Sequence, residues 1–194
     1  MKPIGLLFAV ALLCGAFVGP ALADTDADKA RLAEVTAQEN TLVFDSFNNA
    51  TALQLGMAMV QYAQETKAPQ TVFDIRRNGQ ILFRVALAGS SVDNEYWVNE
   101  KIATMSRFLA STERKKLEYR AMMGADRLKS YPNGGGDPVK FWNLTKQEAA
   151  GLVGGGFPIT VKGVGFVGTI VASGGPDETD HDFIVAVLKK FLNK

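Results

Sequence analysis

Apolar positions recur along this chain with two different periods, and each change of period marks an element. From Asp28 to Gln38, Ala30, Leu32, Ala33 and Val35 follow a helical spacing, after which Leu42-Val43-Phe44 reads as a brief strand. Asn48 and Asn49 are candidate caps for a stronger helix reaching about Thr66, with Leu53, Met57, Val60 and Gln61 in helical register, and Lys67-Ala68-Pro69 ends it. The period then drops to two. Thr71–Arg76 and Gln80–Leu87 are β-rich runs joined through Arg77-Asn78-Gly79, and Asn-Gly suits the two positive-φ positions of a type I′ turn. In the second arm Ile81, Phe83, Val85 and Leu87 predict one apolar face, opposite Leu82, Arg84 and Ala86.

A helix capped by Asp93 follows, in which Val98, Ile102, Met105, Leu109 and Thr112 form a stripe that Trp97 and Phe108 widen; it runs to about Ala110, and another continues to Lys129. Tyr131 to Asp137, with Pro132 and three glycines, reads as a loop, and Thr145–Ala150 as a helical turn. A second hairpin pairs Phe157–Val161 with Gly165–Ala172 through Lys162-Gly163. The last helix starts near Pro176, with Asp177 and Glu178 suiting its dipole and Phe183, Ile184, Val187, Leu188 and Phe191 on its buried face. Two hairpins and a lone strand predict an α/β domain of the α+β type, a roughly five-stranded antiparallel sheet covered by helices.

The first residues change the picture of where this domain works. Met1 and Lys2 precede an apolar run from Ile4 to Val18, and Ala21-x-Ala23 stands before the acidic Asp24. That is the layout of a cleavable export signal, so residues 1–23 are expected to be removed and residues 24–194 to work as one periplasmic or secreted domain. The run is shorter than the roughly 20 residues that span a bilayer, so no permanent membrane anchor is expected after cleavage. Cys14, the only cysteine, leaves with the signal, which excludes disulfides and thiolate chemistry from the mature domain. Cleavage removes Lys2 from 21 basic side chains and none of the 20 acidic ones. Such a balance gives no electrostatic case for nucleic acid.

The candidate chemistry is sparse. His181, the one histidine, follows Asp180 in the first turn of the last helix; it reads either as a capping or surface side chain, or as an axial ligand or proton carrier. Gly155 and Gly156, and then Ser173 and Gly174, sit in glycine turns whose backbone could approach an anion, although neither turn has a nucleotide-binding fingerprint. Arg76 and Arg107 are flanked by residues that read as core, with Asp74 and Asp93 available as partners. Tyr62, Tyr96, Met105, Met122 and Met123 could line a flat apolar cofactor or simply fill the core.

Asp74-Ile75-Arg76-Arg77-Asn78-Gly79-Gln80 with Phe83, then Asp93-Asn94, Trp97, Lys101 and Arg107-Phe108, then Gly155-Gly156-Phe157-Pro158-Ile159, Gly168, Ser173-Gly174 and Asp180-His181 together resemble the haem-degrading domain family. The match is to the branch called uncharacterised protein family 0303 and runs from about Glu39 to the C-terminus. The resemblance implies five antiparallel strands between helices in a profilin-like three-layer arrangement, and homo-oligomers built from dimers. It also makes haem a candidate cofactor. His181 would then be the axial metal ligand, Arg76, Lys101 and Arg107 propionate partners, and Asp180, Gly155, Gly156, Ser173 and Gly174 the rest of the site. The chain departs from the branch in carrying an export signal and in the stretch Lys129–Leu144.

Three functions follow as expectations. The first is an exported binding protein for haem or a similar small ligand. The second is an enzyme, for which the sequence offers no nucleophile–base pair. The third is a non-catalytic assembly protein. In each case the wide apolar face of the helix after Asp93 predicts a dimer or an assembly of dimers, with Trp97 or Phe108 at the contact.

Overall fold

The computed structural model of the chain describes residues 25–129 and 137–194, so the expected signal and the glycine-rich stretch after Tyr131 lie outside the described residues. The element order is α1 (Thr25–Thr41), α2 (Asn49–Thr66), β1 (Val72–Arg77), β2 (Gln80–Ala86), α3 (Val92–Phe108), α4 (Thr112–Lys129), α5 (Pro138–Phe141), α6 (Lys146–Ala150), β3 (Gly156–Val161), β4 (Gly165–Ser173) and α7 (Asp177–Leu192). The four strands form one antiparallel sheet in the order β2-β1-β4-β3. Both hairpins stand where the turn residues put them, and Asn78 and Gly79 carry φ of 49° and 83°.

The expected fifth strand is a single parallel bridge from Phe44 to Val161. Phe44 donates to Thr160 and accepts from Lys162, both at 2.9 Å, on the outer edge of β3. Pairing stops there because the Phe44 ring turns into the core to meet Phe47, with centroids 5.0 Å apart. Pro158 lies in the same edge strand, where its missing N–H removes nothing from the ladder.

Alternation along the strands sends two sets of side chains to opposite faces. One face, holding Phe73, Ile75, Phe157, Ile159, Ile170 and Ala172, packs under α2 and α7 as the main core, and Phe73 stacks on Phe183 of α7 with centroids 5.2 Å apart. The other face lies under α3, where Val72, Val98, Met105 and Val171 make a smaller core. Helices therefore cover both faces, as a three-layer arrangement requires. Outside these layers α1 packs on α4.

Four local expectations are corrected. α2 buries Ala52, Leu55, Gly56, Met59 and Ala63, while Leu53 and Met57 are more than half exposed. The stripe of smaller residues wins because it lets the helix approach the sheet: a Cβ on Gly56 would lie 2.3 Å from the Phe83 ring. In β2, a bulge pairs Ile75 with Phe83 but Arg76 with Ile81. The extra residue, Leu82, packs against the core and Ile81 is 49% exposed. The cap of α3 is Ser91, in a capping box with Asn94, and not Asp93. Leu109 takes a left-handed φ of 54° that ends α3, so it leaves the stripe and is exposed.

Candidate functional site

The face under α3 opens into a cleft of about 350 Å³ between the first half of α3 and the start of α7. Trp97 and Lys101 stand four residues apart on α3 and so share one side of it. The Lys101 side chain crosses to the end of β4, where Nζ donates to the carbonyl of Ala172 at 2.9 Å and to Asp180 Oδ2 at 2.8 Å. Both charged side chains are 3% exposed. Asp180 accepts in addition from Gln70 Nε2 at 3.1 Å and from the Gly175 amide at 2.9 Å. Burial pushes the Asp180 carboxyl above the usual carboxylate range, against the opposing pull of Lys101 and these donors.

Glycine is required beside this pair. Gly155 has φ +99°, and a Cβ there would lie 2.6 Å from Lys101 Nζ and 2.5 Å from Asp180 Cβ. Asp177, at the first position of α7, accepts from the Gly154 amide and from Lys116 Nζ, the latter at 3.1 Å. Lys116 also pairs with Glu113 at 2.8 Å, and burial raises the Glu113 carboxyl. At the mouth Trp97 Nε1 donates to Asp93 at 3.0 Å. Among the described residues, Asp93, Asp177 and Asp180 thus face the cleft together with one cation, Lys101.

Of the residues expected to form a site, Lys101, Asp180, Ser173 and Gly174 line this cleft, and Gly155 packs directly against Lys101 and Asp180. Gly156 stands behind it, its amide donating to Thr112 Oγ1 at 3.0 Å. Arg76 is elsewhere, paired through Nε with Asp74 at 2.8 Å and lining a separate pocket. Arg107 is exposed on the last turn of α3, and Asp93, expected as its partner, is bonded to Trp97.

His181 is corrected most. It is 0% exposed, its Nε2 lies 2.9 Å from Gln38 Oε1, and its ring sits 5.8 Å from that of Phe157. Nδ1 has no partner among the described residues. One step along a helix turns a side chain by roughly 100° about the axis, so Asp180 faces the cleft while His181 turns inward. Burial, with the Arg31 and Lys116 charges adding to it, pushes its pKa down to about 3, which keeps the ring neutral.

The aromatic and methionine set does not converge. Tyr62 packs on Phe183, Met105 and Met123 are buried, and Tyr96 and Met122 are exposed. Phe108 is covered by Trp142 at 5.2 Å and by the Lys115 ammonium at 4.5 Å. Sequence reasoning missed Gln70, Glu113 and Lys116. Their only signal was a polar residue beside a strand and a charge on an amphipathic helix. Among the described residues no group of three histidine, cysteine or carboxylate side chains could hold a metal ion.

Comparison with known proteins shows the family and the fold. Residues 47–189 match the model of the family described as haem degrading protein HbpS-like. A UPF0303 protein of Streptomyces coelicolor is 34% identical over 163 residues, which cover 84% of this chain and 94% of that protein. Among solved structures, the crystal structure of Ybr137w protein has a TM-score of 0.68 at 24% identity, covering 84% of this chain and 87% of that one. The PduOC–haem complex has a TM-score of 0.52 at 20% identity, covering 78% and 96%. These two structural likenesses concern the fold.

Proposed function

The chain belongs to the HbpS-like haem-degrading family, and from that premise we propose that it is an exported, self-associating protein that binds a small ligand in the cleft between α3 and α7. The observation that carries this reading is the Lys101–Asp180 pair in the cleft wall. Two charges taken out of water lose several kcal/mol of hydration each, about as much as their attraction returns, and apolar residues of like size would hold the wall as well. The pair makes sense as a fixed polar surface for something that enters.

Haem is the ligand that the family description and one structural relative bring forward. The cleft of this chain does not fit an axially ligated haem. Among the described residues its wall holds no histidine, methionine, cysteine or tyrosine, three carboxylates would face the propionates, and the one cation is already committed to Asp180. His181 lies behind the wall with Nε2 engaged. The ligand that suits the cleft is small and polar. Export rests on the first 23 residues, and self-association on the apolar groups still exposed, Val92 and Tyr96 beside Trp97 and Leu53 and Met57 on α2.

Native mass spectrometry of the protein as purified, before and after mild denaturation, tests the reading. A small molecule retained by the wild type and lost from a Lys101→Met, Asp180→Leu double variant supports it, and equal retention by both removes the cleft from consideration. A hemin titration separates the family ligand. A saturable Soret shift that vanishes in His181→Ala would overturn the fit argued here. Sedimentation at micromolar concentration tests assembly, which a single monomeric species would exclude.

A further inference from the structure

At the opposite end of α3 from the cleft, a second pocket of about 100 Å³ lies against the β1–β2 turn and the start of β4. Arg76, Asn78, Ile102, Ser106, Phe166 and Thr169 are among its walls, and among the described residues no carboxylate lines it. Thr169 is 4% exposed, and its hydroxyl has no hydrogen-bond partner among the described residues. A buried hydroxyl left without a partner is a standing cost in the free protein, and native structures keep few of them.

Arg76 stands directly across the ladder from Thr169 and therefore on the same face. Its guanidinium spends Nε and Nη2 on Asp74, at 2.8 and 3.2 Å, and Nη1 has no partner among the described residues. Asp74 is shared with Arg84 at 3.0 Å, and Arg84 pairs in addition with Glu95, so Arg76 holds only part of one buried carboxylate. Arg107, exposed and next in sequence to Ser106, is a further cation on the same end of α3. The volume corresponds to about three waters at roughly 30 Å³ each. That is the size of a carboxylate or phosphate group.

We propose that this pocket binds a small oxyanion, with Arg76 Nη1 and the Thr169 hydroxyl as donors and the Ser106 hydroxyl as a third. The two principal donors sit on paired strands, so they are held in place before the ligand arrives, and a guanidinium edge beside a hydroxyl suits planar and tetrahedral oxyanions alike. The site is independent of the cleft: its chemistry is cationic where the cleft is acidic, and neither needs the other.

Thr169→Val tests this because binding and stability should move in opposite directions. The substitution keeps the shape and removes the unpartnered hydroxyl. The melting temperature of the ligand-free variant should hold or rise, while its affinity for the anion falls about tenfold or more, the loss expected for one charge-assisted hydrogen bond. Inorganic phosphate and acetate, titrated separately into the whole protein by calorimetry against sodium chloride at matched ionic strength, identify which oxyanion is preferred. Saturation by either one, weakened in Thr169→Val and in the folded Ser106→Ala variant, supports the proposal. No saturable response to either probe overturns it, as does a response that Thr169→Val leaves intact. A lower melting temperature for ligand-free Thr169→Val also overturns it, since the hydroxyl would then be satisfied within the fold itself.

Discussion

The two faces of one sheet are built on opposite plans. Under α2 and α7, Phe73, Ile75, Phe157, Ile159, Ile170 and Ala172 are all 0% exposed and all apolar. Under α3 the same strands carry Asp74, Arg76, Thr169 and Ser173 around four buried apolar side chains. β1 serves both faces at once, because Phe73 and Ile75 alternate with Asp74 and Arg76. The lesson is a division of labour: the apolar face holds the fold, which lets the other carry buried charge and leave room for a cleft and a pocket.

The hardest blow to that division should fall on the apolar face. Phe73→Ala removes a ring stacked on Phe183 and is expected to cost about 3–5 kcal/mol, read as a lower denaturant midpoint at unchanged slope. On the polar face, Lys101→Met strands the Asp180 charge and should cost about 3 kcal/mol or more, whereas the Lys101→Met, Asp180→Leu double variant should return to within about 1 kcal/mol of the wild type. If the double variant is as unstable as the single one, the pair is structural and the contrast between the faces collapses.

Acid sharpens the comparison from within the apolar side, where His181 sits against Phe157. Its folded pKa of about 3 lies below the ordinary 6.5, so its contribution is complete above pH 6.5 and is lost as pH falls through the window down to about 3. The slope is up to about 1.4 kcal/mol per pH unit. The raised carboxyls of Asp180, Glu113 and Glu100 act in the opposite sense, since the native state gains protons there. The stability lead of the wild type over His181→Gln should therefore shrink between pH 7 and pH 4 in parallel thermal melts. The smallest effect belongs to Ile81→Thr, which should change stability by less than about 0.5 kcal/mol. A larger loss would mean that the exposed Ile81 is covered in the assembled protein.

Much of this architecture was legible from local chemistry. Asn78-Gly79 demanded its turn, and α7 announced itself through Asp177, Glu178 and the spacing of Phe183, Val187 and Leu188. What stayed hidden depended on three-dimensional offsets smaller than one element. The bulge at Leu82 moves Ile81 to the other face, and no residue type in the strand signals it. α2 has two plausible apolar stripes, and the choice between them is made by how closely Gly56 lets it approach Phe83. The site divided in the same way. Lys101, Asp180, Ser173 and Gly174 line one cleft, yet Asp180 and His181, adjacent in sequence, are sent apart by the helix itself. Arg76 and Lys101 belong to opposite ends of α3, which a one-dimensional motif cannot show.

The edge of β3 has a bearing on how copies of this protein can meet. Pro158 offers no donor outward, and the neighbouring outward groups of Thr160 and Lys162 are already taken by Phe44. A foreign strand arriving at that margin finds no template to zip along, so end-to-end sheet polymerisation is blocked there by the chain's own backbone. The other margin, β2, has no such cover among the described residues, so strand addition to this sheet is left to one side only.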